Sequence, residues 1–416
     1  MPHPLPVART ARPRAAARLV LSATLGALGA LAGCAGASTP EPPGAEFVVA
    51  AGDTSVWVRT GPDAGSDGIE VRRAPITLTL LDGRFHELYV TEDDYSFHDA
   101  LFAAQTVWRR DLVTGDSVIV HGDPTAPVLA IEYGHRHPDE RPLEPEEEGA
   151  EEPAVMGVTE AWVVDVHGPF ATVESFADLH PEGGESSHQV RLRVVDLRRG
   201  AELTLSDLLG DSVSAGVVAR GRAAFAAARD SARATHARSD AAARRASVAL
   251  GRFAFDERSF TLTSMRSGPG VVFHVPGTGG EADGHALPLA PITVPDGAWW
   301  REARDGMPVE TTDGGVSVAV WSRGSLAVEA RRERDGDRLV LRDSTGRAWR
   351  IASMAGAAQR VYWLDSRTGA DDRAALARAF YEATLYDGTL RAVSHGARSR
   401  AMGEARPRTR LTTFRR

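Results

Sequence analysis

Few residues in this chain have the types and spacing to do chemistry. His188 follows the polar run Gly183-Gly184-Glu185-Ser186-Ser187 and heads a period-two stretch, which makes it a candidate ligand contact. Trp299 and Trp300 are adjacent. An indole can stack on a sugar ring, but neighbours on a strand face opposite sides, so the pair offers at most one platform. Glu92-Asp93-Asp94 beside His98 has metal-ligating types, yet acids between two strands read as a solvated loop. His135 and His137, at i and i+2, fit one face of a strand, without the local ligands that would complete a tetrahedral site. The chain has no Gly-x-Ser-x-Gly elbow, no phosphate-binding glycine loop with a lysine and no His-Glu-x-x-His. No catalytic residue, metal ligand or cofactor is therefore assigned, and a non-enzymatic protein is expected.

Cys34 is the chain's only cysteine. It ends the run Leu31-Ala32-Gly33-Cys34, after an apolar segment of 13 residues (Leu19 to Leu31) preceded by Arg9, Arg12, Arg14 and Arg18 without any acid. Thirteen apolar residues are too few to cross a bilayer as a lone helix. Charge, length and small residues before a thiol make the pattern of a bacterial lipoprotein signal, with residues 1–33 removed and Cys34 lipidated. No later stretch is long enough to span a bilayer either. The expected address is an exported, membrane-anchored lipoprotein, on the periplasmic face of the outer membrane where the organism has one, because Ala35 rather than Asp follows the cysteine. Removing the four signal arginines takes the net charge from −8 to −12, so nucleic acid is not the expected partner. There is no lysine, and the abundance of Ala, Gly and Arg reads as composition bias rather than as anion recognition.

The elements that must position these residues divide the chain. Residues 34–46 are a small, Pro-rich tether. Residues 47–133 read as an antiparallel β meander, with strands at 55–59, 69–72, 76–81, 85–90, 105–109, 117–121 and 128–133, and an Asp82-Gly83 hairpin signal. Residues 134–157 form an acidic linker: 139–152 carry eight acids against one arginine. A central domain spans 158–295. In it Val190, Leu192 and Val194 alternate with Gln189, Arg191 and Arg193, the pattern of a half-buried strand, and a long helix begins near Ser212. Strands resume at 252–255, 259–263, 271–275 and 291–294. An irregular connection (296–314) leads to a second β-rich segment with a helix (315–394), and 395–416 is a basic tail. Ala357 to Asp365 with Thr368-Gly369 aligns without gaps on Ala103 to Asp111 with Thr114-Gly115, which leaves an internal repeat and a chance match both open. The fold class expected is α+β and rich in antiparallel sheet, its central domain a helix packed on a sheet between flanking β-meander segments.

Gly183-Gly184 with His188, Val194-Val195-Asp196 with Gly200, Leu203-Thr204-Leu205-Ser206-Asp207-Leu208-Leu209, then Phe260-Thr261-Leu262, Val272-Phe273 and Ile292-Thr293-Val294, resemble the extracytoplasmic domain of the RsiV (lysozyme-sensing anti-sigma factor) and PdaC (peptidoglycan deacetylase, N-terminal region) type. The resemblance covers about residues 158–295. It implies a helix on an antiparallel sheet and an envelope setting. In that family the histidine follows the glycine pair closely, whereas here Glu185-Ser186-Ser187 intervene, and the catalytic motifs of the deacetylase are absent.

The function expected is that of a lipid-anchored cell-envelope protein, non-enzymatic, binding a protein or peptidoglycan-derived ligand. An enzyme acting on envelope glycans and a structural envelope spacer are the alternatives.

Overall fold

The computed structural model describes residues 42–65, 67–97, 100–123, 125–137, 155–180, 186–235, 241–265, 268–276 and 286–397. In chain order its elements begin with β1 (Ala45–Ala51), β2 (Thr54–Thr60), β3 (Ile69–Ala74), β4 (Thr77–Leu81), β5 (Arg84–Ser96), β6 (Ala100–Asp111), β7 (Ser117–Gly122) and α1 (Thr125–Arg136). The middle of the chain forms β8 (Val155–His167), β9 (Phe170–His180), β10 (Ser187–Asp196), β11 (Ala201–Glu202), α2 (Leu205–Leu209), α3 (Asp211–Thr235), α4 (Ala241–Arg252), β12 (Phe260–Met265), β13 (Gly268–Val275), β14 (Leu287–Pro288) and β15 (Ile292–Thr293). Then come α5 (Ala298–Arg304), β16 (Val309–Asp313), β17 (Val316–Arg323), β18 (Leu326–Glu333), β19 (Gly336–Asp343), β20 (Ala348–Met354), β21 (Arg360–Trp363) and α6 (Ala370–Ala397). The fold is α+β and rich in antiparallel sheet.

Both ends of the described chain build one β structure. β1 is an inner strand of the order β21-β1-β2-β3. Its run Phe47-Val48-Val49-Ala50-Ala51 is apolar throughout because both faces are covered. Phe47, Val49 and Ala51 pack, with Val56 and Val58, on Trp321, Val328, Leu339 and Leu341 of the five-stranded meander β16–β20. Val48, Ala50 and Trp57 face Leu376 and Phe380 of α6.

The segment 47–133 is thus divided rather than one meander: β1–β3 belong to the sandwich, and β4–β7 join β8–β11 in an eight-stranded sheet. In that sheet β6 gives Ala100–Ala104 to β8 in parallel and Thr106–Arg110 to β7 antiparallel along the same edge. A parallel pair needs a crossover, and α1 lies on it. That is why Val128 to Tyr133, expected as a strand, is helical. Ala126, Ala130 and Tyr133, at i, i+4 and i+7, are buried, and Ala130 and Tyr133 pack with Phe102 and Val155.

The central region has the expected layer of helix on sheet. Val217 and Phe225 of α3 pack on Phe260, Val271 and Phe273 of β12 and β13, with Phe170 and Val194 from the larger sheet beneath. Gly221 allows the close approach, since a Cβ there would sit 2.5 Å from the Phe273 ring. Thr204 caps α2 through a reciprocal capping box with Asp207. The strand expected at 252–255 is absent; Arg252 ends α4 and residues 253–256 are irregular. The aligned pair of segments lies in different sheets, β6 and β21. They share an Asp-x-x-Thr-Gly turn in which Asp111 and Asp365 each accept from backbone N–H groups two residues on. Of the linker expected at 134–157, residues 134–136 end α1 and 155–157 begin β8, and of the tail expected at 395–416, residues 395–397 end α6; residues 138–154 and 398–416 lie outside the described residues.

Candidate functional site

The β9–β10 hairpin brings three titratable side chains to one point at the end where its strands are joined. Asp178 and His180, two apart on β9, share a face. β10 returns antiparallel with His188 directly opposite Asp178. Burial sets this register: Val190, Leu192 and Val194 are all under 6% exposed, and a slip by one residue would turn them to solvent. Fixing them in the core puts His188 on the same face, one step beyond the apolar edge made by Val190, Leu192, Phe176 and Ala286. At its other end β10 is held by Arg193, which pairs with Asp256 at 3.0 Å and Glu202 at 3.7 Å. A hydrogen bond from His121 outweighs burial there and holds Glu202 below its ordinary carboxylate range.

At the hairpin end Oδ1 of Asp178 lies 3.0 Å from Nε2 of His180 and 2.6 Å from Nδ1 of His188. The imidazoles meet edge to face with centroids 5.2 Å apart. Nδ1 of His180 is 2.8 Å from the Ser186 hydroxyl. The three side chains are 18%, 37% and 30% exposed in the order Asp178, His180, His188, so the site opens to solvent without being loose. Asp94, Ala103, Val158, Asp178 and His188 occupy one rung across five strands, and Glu92 and Asp94 therefore share the site's face of the sheet. Two imidazole nitrogens and a carboxylate oxygen can share a proton, or hold a metal of intermediate softness.

Of the residues singled out in the sequence, His188 is in this cluster. Trp299 and Trp300 are not: they lie on α5, 9% and 3% exposed within the central core. Indoles buried to that degree offer no face to a sugar, and the irregular connection expected there is in fact helix and then strand β16. Glu92, Asp93 and Asp94 sit inside β5 rather than in a loop, so Asp93 faces away from the other two, and Glu92 accepts from Gln105 at 2.7 Å. His135 falls in the last turn of α1, and His137 stacks on Tyr133 just beyond it, so they share no strand face. Cys34 and His98 lie outside the described residues. Asp178 and His180 were not singled out in the sequence. Asp-x-His on a strand, with a histidine returning across a turn, was the available signal, but it needs the register to be read.

Among the described residues no helix is long and apolar enough to cross a membrane. No protein-family model matches the chain, and no curated protein matches it.

Proposed function

We propose that this chain is a lipid-anchored bacterial cell-envelope protein that works by binding a protein or wall-derived ligand, not by catalysis. The observation that carries the anchored reading is the route by which the tether enters the fold. The Thr60 hydroxyl donates to the Pro43 carbonyl and accepts from the Ala45 N–H at 2.8 Å. Pro42 packs against Gly68. The next residues are β1, paired along its length with β2 and over Phe47–Ala50 with β21. A load on the tether is therefore shared by two strand ladders. That suits a body hung from a lipidated Cys34, as do the signal arginines and the apolar run before it. Two acyl chains anchor stably, each buried methylene contributing about 0.8 kcal/mol.

The resemblance of residues 158–295 to the RsiV/PdaC-type domain supports a ligand of envelope origin. The joined end of the β9–β10 hairpin, at Asp178, His180 and His188, is the surface we assign to it. Burial of Trp299 and Trp300 removes the main support for an enzyme acting on glycans.

Labelling with a clickable fatty acid tests the anchor. Wild type is expected to take the label and sediment with membranes, and Cys34→Ser to do neither. Label retained by Cys34→Ser, or an unlabelled soluble wild type, would overturn it. For the ligand, immobilised full chain is offered lysozyme and peptidoglycan fragments; retention of none of them removes the binding reading.

A further inference from the structure

We infer that Asp178, His180 and His188 form a site for a divalent transition-metal ion, zinc being the best matched. The site is independent of the anchor at Cys34.

The first ground is how the donor atoms converge. One ring nitrogen of each histidine and a carboxylate oxygen of Asp178 all lie within 4.8 Å of one another. Oδ1 of Asp178 and Nδ1 of His188 are only 2.6 Å apart, yet both are fully buried atoms that reach hydrogen-bond geometry with no partner. Two polar atoms so close and so oriented are aimed at a shared point beside them rather than at each other. An ion there satisfies both, whereas burial without a partner costs each of them.

The second ground is spacing. Metal–ligand bonds of about 2.0–2.1 Å at a tetrahedral angle set ligand atoms about 3.3 Å apart. Asp178 and His180, at 3.0 Å, already stand near that separation. Bringing His188 to it needs only a small side-chain rotation on a strand whose backbone is fixed by the core.

The third ground is the support behind the ligands. Ser186 Oγ, 2.8 Å from Nδ1 of His180, can accept from that nitrogen. With an ion on Nε2, Nδ1 carries the proton and donates to Ser186, the usual arrangement behind a ligating histidine. Glu92 and Asp94 add negative charge to the same face of the sheet.

The donor set chooses the metal. Two imidazoles and one carboxylate suit zinc and its first-row neighbours, while calcium and magnesium call for oxygen throughout. Three protein ligands leave a fourth position to solvent.

The test is titration of the tag-free full chain, purified in detergent and stripped of metal, with Zn(II) by calorimetry and Co(II) by visible absorption. One equivalent of Zn(II) is expected, competed by Co(II) with the intense bands of a low-coordinate site, and unaffected by excess Ca(II). His188→Ala and His180→Ala should each weaken binding by about a hundredfold, and Ser186→Ala by about tenfold through loss of the supporting contact. Circular dichroism of the metal-free variants confirms that they fold. Absence of saturable Zn(II) binding by wild type overturns the inference, as does undiminished affinity in the Asp178→Ala, His180→Ala, His188→Ala triple variant. An octahedral Co(II) spectrum overturns the proposed geometry.

Discussion

Arg360, 2% exposed, donates from its guanidinium to the backbone carbonyl of Ala303 at 2.8 Å, tying the last strand of the sandwich to the end of α5. Replacing it with Met leaves that carbonyl and the neighbouring Asp165 without a buried positive charge. A loss of about 3–5 kcal/mol in urea unfolding is expected, the range for breaking a buried ionic contact from one side. A change below about 1 kcal/mol would show that the guanidinium contributes no net stability.

Asp165 adds a pH dependence. Burial pushes its carboxyl up, but His167, backbone Val166 and Arg360 together outweigh burial and hold it below its ordinary value of 3.8. A carboxyl lowered in the fold contributes stability that is present above its unfolded value and lost as pH falls through the folded one. In wild type the loss below about pH 4 should therefore be steeper than in Asp165→Asn, measured as urea midpoints from pH 5 to pH 2.

His274 works in a higher window. Burial lowers it from 6.5 to about 4. Between those values the unfolded chain binds the extra proton, so stability falls as pH drops from 6.5 towards 4, by at most roughly 3 kcal/mol at 1.36 kcal/mol per pH unit. His274→Gln, which keeps a partner for the Thr261 hydroxyl 3.0 Å away, should flatten that limb while changing little at pH 7.5. Equal slopes for the two proteins would show that His274 titrates normally.

Two glycines of α3 should respond with opposite sign to the same substitution. Gly216 is exposed, and a methyl group added there would have nothing within 4 Å, so Gly216→Ala is expected to stabilise by about 0.5–1 kcal/mol through helix propensity. At Gly221 the methyl would meet Phe273 at 2.5 Å and Phe255 at 2.9 Å. Overpacking there should cost about 1–3 kcal/mol and overcome the propensity gain. Thermal and urea unfolding of the two variants measure both signs.

Local patterns were legible where one face decides the structure. Val190, Leu192 and Val194 alternate and are buried, whereas the capping box of Thr204 with Asp207 was not read from the sequence. The rest depends on partners far along the chain. Val128 to Tyr133 has strand-forming residues, but the parallel pairing of β6 with β8 demands a crossover, and the helix wins by burying Ala126, Ala130 and Tyr133. Trp299 and Trp300 lack any local sign of the core they fill. For the candidate site, His188 stood out by its place before an alternating strand. Asp178 and His180 did not, because what joins them to His188 is a pairing register across a turn.

The pairing of Phe47 with Trp363 has a consequence for the order of assembly. About 300 residues separate the partners, so β1 is synthesised long before β21 and waits for it before its second edge can close. Contacts of such sequence separation form late and slowly. Until then its run of Phe, Val and Ala exposes a sticky, half-paired edge, and the nascent protein is most vulnerable to aggregation and to proteases at its beginning. Chaperoning of the newly made chain would therefore matter most for β1, and premature truncation anywhere upstream of β21 would leave it unsealed.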